Sequence, residues 1–563
     1  MKEKRFVIIS AILLMFFGYT FKTSYGLDTP EMVLSRMTVE QKIGQLFMPG
    51  IQGQVMSDEL KKLIQSNYLG GVILFGGRNV ISHAQSAQFT QDLQVAAMGA
   101  PNGIPLLISI DQEGGVGSHI NMLNGGVDTV GNLALGASPE VEDTYLSYSI
   151  MADDLRAFGV NMALAPVLDL LLNKNNPMNH IRSFGADPEA VSARARRAVM
   201  GFQNNGIVAC IKHFPGKGNN AVDSHKFTPV TTEDRSILER TILAPFRAAI
   251  DAGADSVMLN HEIYTALDPD QVATLSGKII TDLLKGEMGF DGLVITDSIT
   301  MGGVSVSADE ASYLSIKAGA DMILFAGDSP EAYIKAIAKV KGKIASGELS
   351  MERVDDAVLR ILRVKHKYGL FENPQSAPAD KYKIQKKKNY ETSREIARRT
   401  ITMVKNNGVL PLDRARAGRI LVVSPGSFFS VPMMETVFPA GTSLAAKMKE
   451  FASGVRASIY DPKTLKHDAI KALETAKDVD VIVFGSILAY WSPETVDLVK
   501  KLKGTGKPVV VVGLSVPYDL ERFPDVDAFL GAYCPRSVSL EAAVDAIFGL
   551  YNPAGKLPVD VQF

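Results

Sequence analysis

Two short stretches hold the residue types suited to acid–base and nucleophilic chemistry. The first reads IKHFPGKGNNAVDSHKFTPV over Ile211–Val230. Lys212 and His213 sit at the end of a short apolar run, Ile207–Ile211, which reads as a buried strand. A Pro-Gly turn and a Gly/Asn-rich loop follow, and the loop carries Asp223-Ser224-His225. A carboxylate two residues from an imidazole orients the ring and supports its charged form, the logic of a catalytic dyad. An Asx-type turn with an incidental histidine is the competing reading. The second stretch reads GLVITDSITM over Gly292–Met301, a buried strand that ends at an acid, Asp297. Asp297 suits a functional carboxylate, or equally a helix N-cap. Asp111 ends a third such run, in Ile110-Asp111-Gln112-Glu113-Gly114-Gly115, where the glycines would let a ligand come close to the backbone. The chain has no metal-ligand spacing, phosphate-cradling loop or serine nucleophile elbow, so neither metal nor cofactor is expected. A carboxylate and a proton donor facing one another across a polar cleft suit glycosyl transfer through a covalent intermediate.

Such residues need a scaffold that brings distant strand ends together. Eight apolar runs read as strands: Gly44–Pro49, Gly71–Phe75, Pro105–Ile110, Asn161–Val167, Ile207–Ile211, Ser256–Leu259, Leu293–Thr296 and Met322–Ala326. Continuous apolar strands imply burial on both faces, as in a parallel sheet covered by helices. Crossover helices fit Asp58–Ser66, Glu140–Phe158, Pro188–Asn204, Asp234–Ala252, Ser276–Lys285, Ala308–Ala318 and Pro330–Ser346. The pattern predicts a (β/α)8 TIM-type barrel, with a doubly wound open sheet as the alternative. The barrel is favoured because polar residues follow strands all round the series: Asp111, Asp169, Arg182, Lys212, His213, His261 and Asp297. A barrel gathers all of these at one mouth.

Met351–Tyr368 reads as a closing helix, and 373–390 as a Pro/Ala/Lys-rich linker. A smaller α/β sandwich domain is expected over 391–563, with a helix at Ser393–Lys405. Its strands would be Arg419–Val423, Ala457–Tyr460, Val479–Phe484, Pro508–Leu514 and Ala528–Ala532, mostly parallel. The single tryptophan, Trp491, follows Tyr490 in a loop whose expected role is packing rather than sugar stacking.

The chain has 563 residues and a net charge of −2. That length fits two or three domains, and the charge gives no sign of a nucleic-acid partner. Cys210 and Cys534 stand in apolar contexts and read as buried thiols. Lys2, Lys4 and Arg5, the apolar run Phe6–Phe21 and Ser24-Tyr25-Gly26 form a secretory signal over 1–26, cut after Gly26. The catalytic domain would then span 27–372, and export would place it in a bacterial periplasm or outside the cell. The apolar run is short for a spanning helix, so no stable membrane insertion is expected after cleavage.

The order of several motifs is similar to that of glycoside hydrolase family 3, in its β-N-acetylglucosaminidase branch. They are Asp111-Gln112-Glu113-Gly114-Gly115, Ala165-Pro166-Val167-Leu168-Asp169, Arg182-Ser183-Phe184-Gly185-Ala186-Asp187-Pro188, Lys212-His213-Phe214-Pro215-Gly216, Asp223-Ser224-His225 and Gly289-Phe290-Asp291-Gly292 before Asp297. Asn406-Asn407-Gly408-Val409-Leu410-Pro411-Leu412 and Asn552-Pro553-Ala554-Gly555-Lys556-Leu557-Pro558 resemble the family's C-terminal domain. The resemblance implies that Asp297 is the nucleophile, His225 the general acid/base and Asp223 its dyad partner. It implies that Asp111, Arg182, Lys212 and His213 hydrogen-bond the sugar at subsite −1, with His261 lining the same pocket. Two departures bear on sugar preference. Gly-Gly-Arg-Val-x-Arg of the family reads Gly114-Gly115-Val116-Gly117-Ser118-His119 here, with His119 in place of the second arginine. Pro-Gly-His-Gly-Asp reads Pro215-Gly216-Lys217-Gly218-Asn219.

The implied activity is a retaining exo-β-N-acetylglucosaminidase acting on peptidoglycan- or chitin-derived oligosaccharides through a glycosyl-aspartate. The competing readings are a β-glucosidase or β-xylosidase of the same family, a β-N-acetylglucosaminide phosphorylase, and a glycan-binding protein without activity. A phosphorylase is motivated by the histidine acid/base, which does not repel phosphate as a carboxylate would.

Overall fold

The computed structural model describes residues 28–176, 178–327, 329–372, 379–413, 418–429, 435–437, 443–460 and 465–563. The expected signal over 1–26 lies outside them.

Eight parallel strands form the first unit: β1 (Phe47–Pro49), β2 (Gly71–Leu74), β3 (Leu107–Ile110), β4 (Met162–Ala163), β5 (Val208–Phe214), β6 (Ser256–Leu259), β7 (Leu293–Thr296) and β8 (Ile323–Phe325). Parallel pairing runs without a break from β2 to β7, and β1 pairs with β8. Single parallel bridges, Gly50 with Ile73 and Ile295 with Met322, join these two sheets on either side and close the ring. Every strand core is buried on both faces, which explains why the strands read as unbroken apolar runs. A helix or helix pair follows each strand, from Asp58–Asn67 after β1 to Pro330–Ala345 after β8. The amphipathic helix Met351–Lys367 packs against the N-terminal helices Pro30–Ser35 and Val39–Gln45. Its buried Lys365 donates to Gln45 Oε1 at 2.6 Å.

Three expectations are corrected. Gly44 and Gln45 belong to the helix Val39–Gln45, started by the reciprocal cap between Thr38 and Gln41, and not to β1. The helix His83–Met98 after β2 was not anticipated; its mixture of Gln, Ser and Ala draws no clear apolar stripe. The linker is helical where it is described. Residues 373–378 lie outside the described part, and a single helix then runs Ala379–Thr400. It is held along the barrel by Tyr382 Oη donating to Asp154 Oδ1 at 2.8 Å and by a forked Arg399–Asp143 pair at 2.6–3.2 Å. The helix expected over Ser393–Lys405 ends at Thr400, and a strand, Thr402–Asn406, takes its last residues.

The second unit is a six-stranded sheet of β9 (Thr402–Asn406), β10 (Ile420–Pro425), β11 (Val455–Tyr460), β12 (Val481–Ser486), β13 (Val509–Gly513) and β14 (Ala528–Gly531). Its order is β9-β14-β13-β12-β10-β11, parallel except for β9 on β14. Strand alternation splits its core. Val422, Val483, Val510 and Val512 join the apolar mass continuous with the barrel. Leu421, Val423, Ile482, Val509 and Val511 face the other way, into a separate cluster.

Candidate active site

The strand ends meet in a cleft of about 660 Å³ at the C-terminal mouth of the barrel, a volume suited to a sugar ring or two. Asp111 and Glu113 come from the end of β3, Arg182 from the loop after β4, Lys212 and His213 from β5, and Asp297 from β7. His225 and Lys217 are brought in by the long loop after β5.

One wall is an ion cluster. Lys212 Nζ lies 2.5 Å from Asp111 Oδ1 and 2.7 Å from Glu113 Oε1. Arg182 grips Glu113 with a fork, Nε to Oε2 at 2.7 Å and Nη2 to Oε1 at 2.8 Å. Burial would raise the pKa of Glu113, but Arg182 and Lys212 outweigh it and hold the carboxyl well below its usual range. Glu113 thus fixes two cations at once and was missed as a site residue, because its partners lie 69 and 99 positions away in sequence. Glu113→Ala leaves Lys212 and Arg182 buried against a void. Loss of one partner from a buried pair costs about 3–5 kcal/mol, so the variant should unfold at clearly lower urea than wild type. An unchanged unfolding midpoint would show that the cluster adds nothing to the fold.

The turn carrying Glu113 is shaped by the chain itself. Gly114 has φ 88°, and a Cβ there would sit 2.8 Å from Val130 O; at Gly115, φ 56°, it would sit 2.8 Å from Gly131 Cα. These glycines answer to neighbouring backbone, and neither lines the cleft. The expectation that they admit a ligand is therefore corrected. From the second unit, Arg536 Nε donates to Gly115 O at 3.2 Å. Trp491 packs on His180, two residues before Arg182, with ring centroids 4.7 Å apart. The described cleft lining all comes from the barrel, and the second unit braces the loops behind it.

His213 turns its Nδ1 to Asp169 Oδ2 at 2.7 Å, and Asp169 Oδ1 accepts the backbone N–H of Lys217 at 2.9 Å. Burial and Lys217 push the pKa of His213 down to about 4 against the opposing pull of Asp169. At neutral pH the ring is uncharged. With Nδ1–H donating to the Asp169 carboxylate, Nε2 is left as an acceptor. Glu262, buried behind the loop, is pushed up to about 7 by burial, with Lys217 pulling the other way.

Asp297 accepts the N–H of Ser298 at 2.7 Å. Burial raises its pKa, but His213, His261, Lys217 and that N–H together hold it down at about 2. It is an anion throughout the physiological range, as a nucleophile must be. His225 Nδ1 meets Asp223 Oδ1 at 2.9 Å, and the same oxygen accepts the His225 N–H at 3.0 Å. The Asx-type turn and the dyad are therefore one arrangement. The loop is fastened to the segment after Asp297: Gly302 N donates to His225 O at 3.1 Å, Gly303 N to Ser224 O at 3.0 Å, and Thr228 Oγ1 to Gly303 O at 2.9 Å.

His261 does not line the cleft. It is buried behind it, with Nδ1 on Thr274 Oγ1 at 2.8 Å and Nε2 on Ser298 O at 3.0 Å, and so supports the backbone beside Asp297. His119 does line it and meets Phe75 edge-on at 5.9 Å. The Arg78 guanidinium lies 4.7 Å from the same ring. The loop after β2 therefore places an arginine at the cleft, although the glycine turn after β3 carries none. Among the described residues no cluster of His, Cys, Asp or Glu could hold a metal ion, and no helix is long and apolar enough to cross a membrane.

A closed parallel barrel with carboxylates, cations and an imidazole dyad at its C-terminal mouth, backed by an α/β sandwich, defines a class of carbohydrate-cleaving enzymes. The model of the glycosyl hydrolase family 3 N-terminal domain matches residues 38–364, and that of the family's C-terminal domain matches 401–563. The chain belongs to glycoside hydrolase family 3 and is a β-hexosaminidase-like glycoside hydrolase. A "Beta-hexosaminidase A" of Pseudoalteromonas piscicida is 29% identical over 90% of this chain and 91% of its own. A "Beta-N-acetylglucosaminidase/beta-glucosidase" of Cellulomonas fimi is 28% identical over 95% and 96%. The solved structure of a family 3 β-N-acetylglucosaminidase from Paenibacillus sp. str. FPU-7 superposes with a TM-score of 0.87 at 33% identity, covering 93% of this chain and 99% of that one.

Proposed function

We propose that the enzyme removes terminal N-acetylglucosamine from the non-reducing ends of peptidoglycan- or chitin-derived glycans, with retention of configuration. One observation carries the reading: Asp297 and His225 line a single cleft, Asp223 holds the His225 ring at Nδ1, and the loop carrying both is hydrogen-bonded to the segment that follows Asp297. In the first half-reaction the Asp297 carboxylate attacks the anomeric carbon while His225 gives a proton to the departing oxygen. In the second, His225 takes a proton from water, which attacks the glycosyl-aspartate and frees Asp297. Asp223 orients the imidazole. Burial would raise the pKa of Asp223, but the N–H and ring of His225 hold it below the usual carboxylate range, so it stays charged opposite the ring. Asp111, Arg182, Lys212, His213 and His119 would hold the sugar hydroxyls. The basic, apolar and small-residue pattern of residues 1–26 supports export from the cytoplasm.

A panel of 4-nitrophenyl β-glycosides tests this reading. The N-acetylglucosaminide should give the highest kcat/KM, and faster cleavage of the β-glucoside or β-xyloside would contradict it. The histidine proton donor also admits phosphate as the second acceptor, and sugar 1-phosphate formed in phosphate buffer would favour that alternative.

A further inference from the structure

The backbone of Ser224 and His225 rests on two glycines, Gly302 and Gly303, shortly after Asp297 in the chain. Gly302 N donates to His225 O at 3.1 Å and Gly303 N to Ser224 O at 3.0 Å, while Thr228 Oγ1 donates back to Gly303 O at 2.9 Å. The two segments lie too close for a Cβ between them. At Gly302 it would sit 2.7 Å from His225 O and 2.9 Å from Lys226 O; at Gly303 it would sit 2.9 Å from Ser224 O and 3.0 Å from His261 Cβ. Neither glycine has a left-handed φ, so the approach of the dyad loop, and not the backbone conformation, calls for glycine here.

The turn that forms this seat also carries the nucleophile. Ile299 N donates to Leu324 O at 2.9 Å and Ala326 N to Ser298 Oγ at 3.1 Å, which ties the turn to β8. Met301 N donates to Ser298 O at 3.0 Å, and Asp297 takes the Ser298 N–H within the same turn. The His225 side chain has no such support. It is 34 % exposed, and among the described residues its ring is hydrogen-bonded only to Asp223, on its own loop. The place of the ring in the cleft therefore follows from where the loop backbone rests. We propose that Gly302 and Gly303 are positioning residues, which set the distance between the His225 imidazole and the departing oxygen by seating the dyad loop on the nucleophile's own turn. The proton donor is thereby registered to Asp297 rather than to β5, from which its loop departs. The assignment rests on the reading of His225 as the proton donor.

The test compares wild type, Gly302→Ala and His225→Ala by kcat/KM on 4-nitrophenyl β-N-acetylglucosaminide and on the β-1,4-linked disaccharide of N-acetylglucosamine. The added methyl group must push the loop away, and a misplacement of about 1 Å can cost about 100-fold. That cost falls where the proton is needed. The loss on the disaccharide should exceed the loss on the aryl glycoside by about 10- to 100-fold, within the range of general acid help. In the Gly302→Ala/His225→Ala double variant this extra loss should vanish, since no proton donor is left to misplace. A glycine that served only the fold would slow both substrates alike. Equal losses in a folded Gly302→Ala, no loss at all, or an undiminished extra loss in the double variant would overturn the assignment. Should Gly302→Ala not fold, Thr228→Val removes the bond to Gly303 O without adding bulk and is read by the same criteria. The His225→Ala arm separates two failures. If it does not split the two substrates, the proton-donor reading falls and this assignment with it; a split there without one in Gly302→Ala overturns this assignment alone.

Discussion

Asp297→Ala should lose at least about 10⁴-fold in kcat/KM on every glycoside, the scale seen when a covalent nucleophile is removed. The loss would be chemical rather than structural. Among the described residues the Asp297 side chain is hydrogen-bonded only by the adjacent Ser298 N–H, and the strand behind it is fixed by backbone pairing to β6. Thermal unfolding should therefore stay close to wild type. The truncated side chain also leaves room for a small anion. Azide placed there can attack the anomeric carbon while His225 protonates the departing oxygen, giving a glycosyl azide of inverted configuration. Recovery of turnover by azide with that product would place the missing nucleophile at residue 297. A variant with near wild-type turnover would remove Asp297 from the mechanism. Because Asp297 is held at about 2, it stays ionised well below pH 5, so an acidic limb of kcat/KM between pH 5 and 8 must come from another group.

His225→Ala should divide substrates by leaving group. A nitrophenolate departs with little protonic help, whereas the alkoxide of a natural disaccharide is a poor leaving group and needs the proton. General acid help is typically worth about 10²–10⁴-fold, and that factor should be lost on a disaccharide and largely spared in the glycosylation step of an aryl glycoside. Water attack in the second half-reaction loses its base with either substrate, so deglycosylation becomes the slow step. Asp223→Ala should show a weaker form of the same contrast, because the imidazole remains but is no longer held at Nδ1. Equal slowing of both substrate types would make His225 a binding residue. Glu113 is a poor substitute, since Arg182 and Lys212 keep it ionised.

Much of this arrangement was legible in the sequence because the physics that fixes it is local. The eight barrel strands are buried on both faces, so each appears as an unbroken apolar run with a polar residue just past its end. Asp111, Lys212, His213 and Asp297 were found in that way. The Asp223–His225 contact spans two residues and needs no fold to bring it about. What remained illegible depends on partners far apart in the chain. The bonding of Glu113 to Arg182 and Lys212, of Asp169 to His213, and of Trp491 to His180 joins residues whose spacing carries no signal. His261 was read as a cleft residue because it follows a strand, but its side chain turns to Thr274 and the Ser298 carbonyl. The helix over Ala379–Thr400 resembles a linker because its first half is dense in Lys and poor in apolar residues. Tertiary bonds from Tyr382 and Arg399 hold it along the barrel, and its composition gives no hint of them.

The most direct test of the central claim, a covalent Asp297 intermediate served by His225, is intact-mass analysis of His225→Ala during turnover of 4-nitrophenyl β-N-acetylglucosaminide. The protein should gain the mass of one N-acetylglucosaminyl residue, and peptide mapping should place it on Gly292–Met301, at Asp297. Turnover without any adduct, or an adduct on another carboxylate, would contradict it.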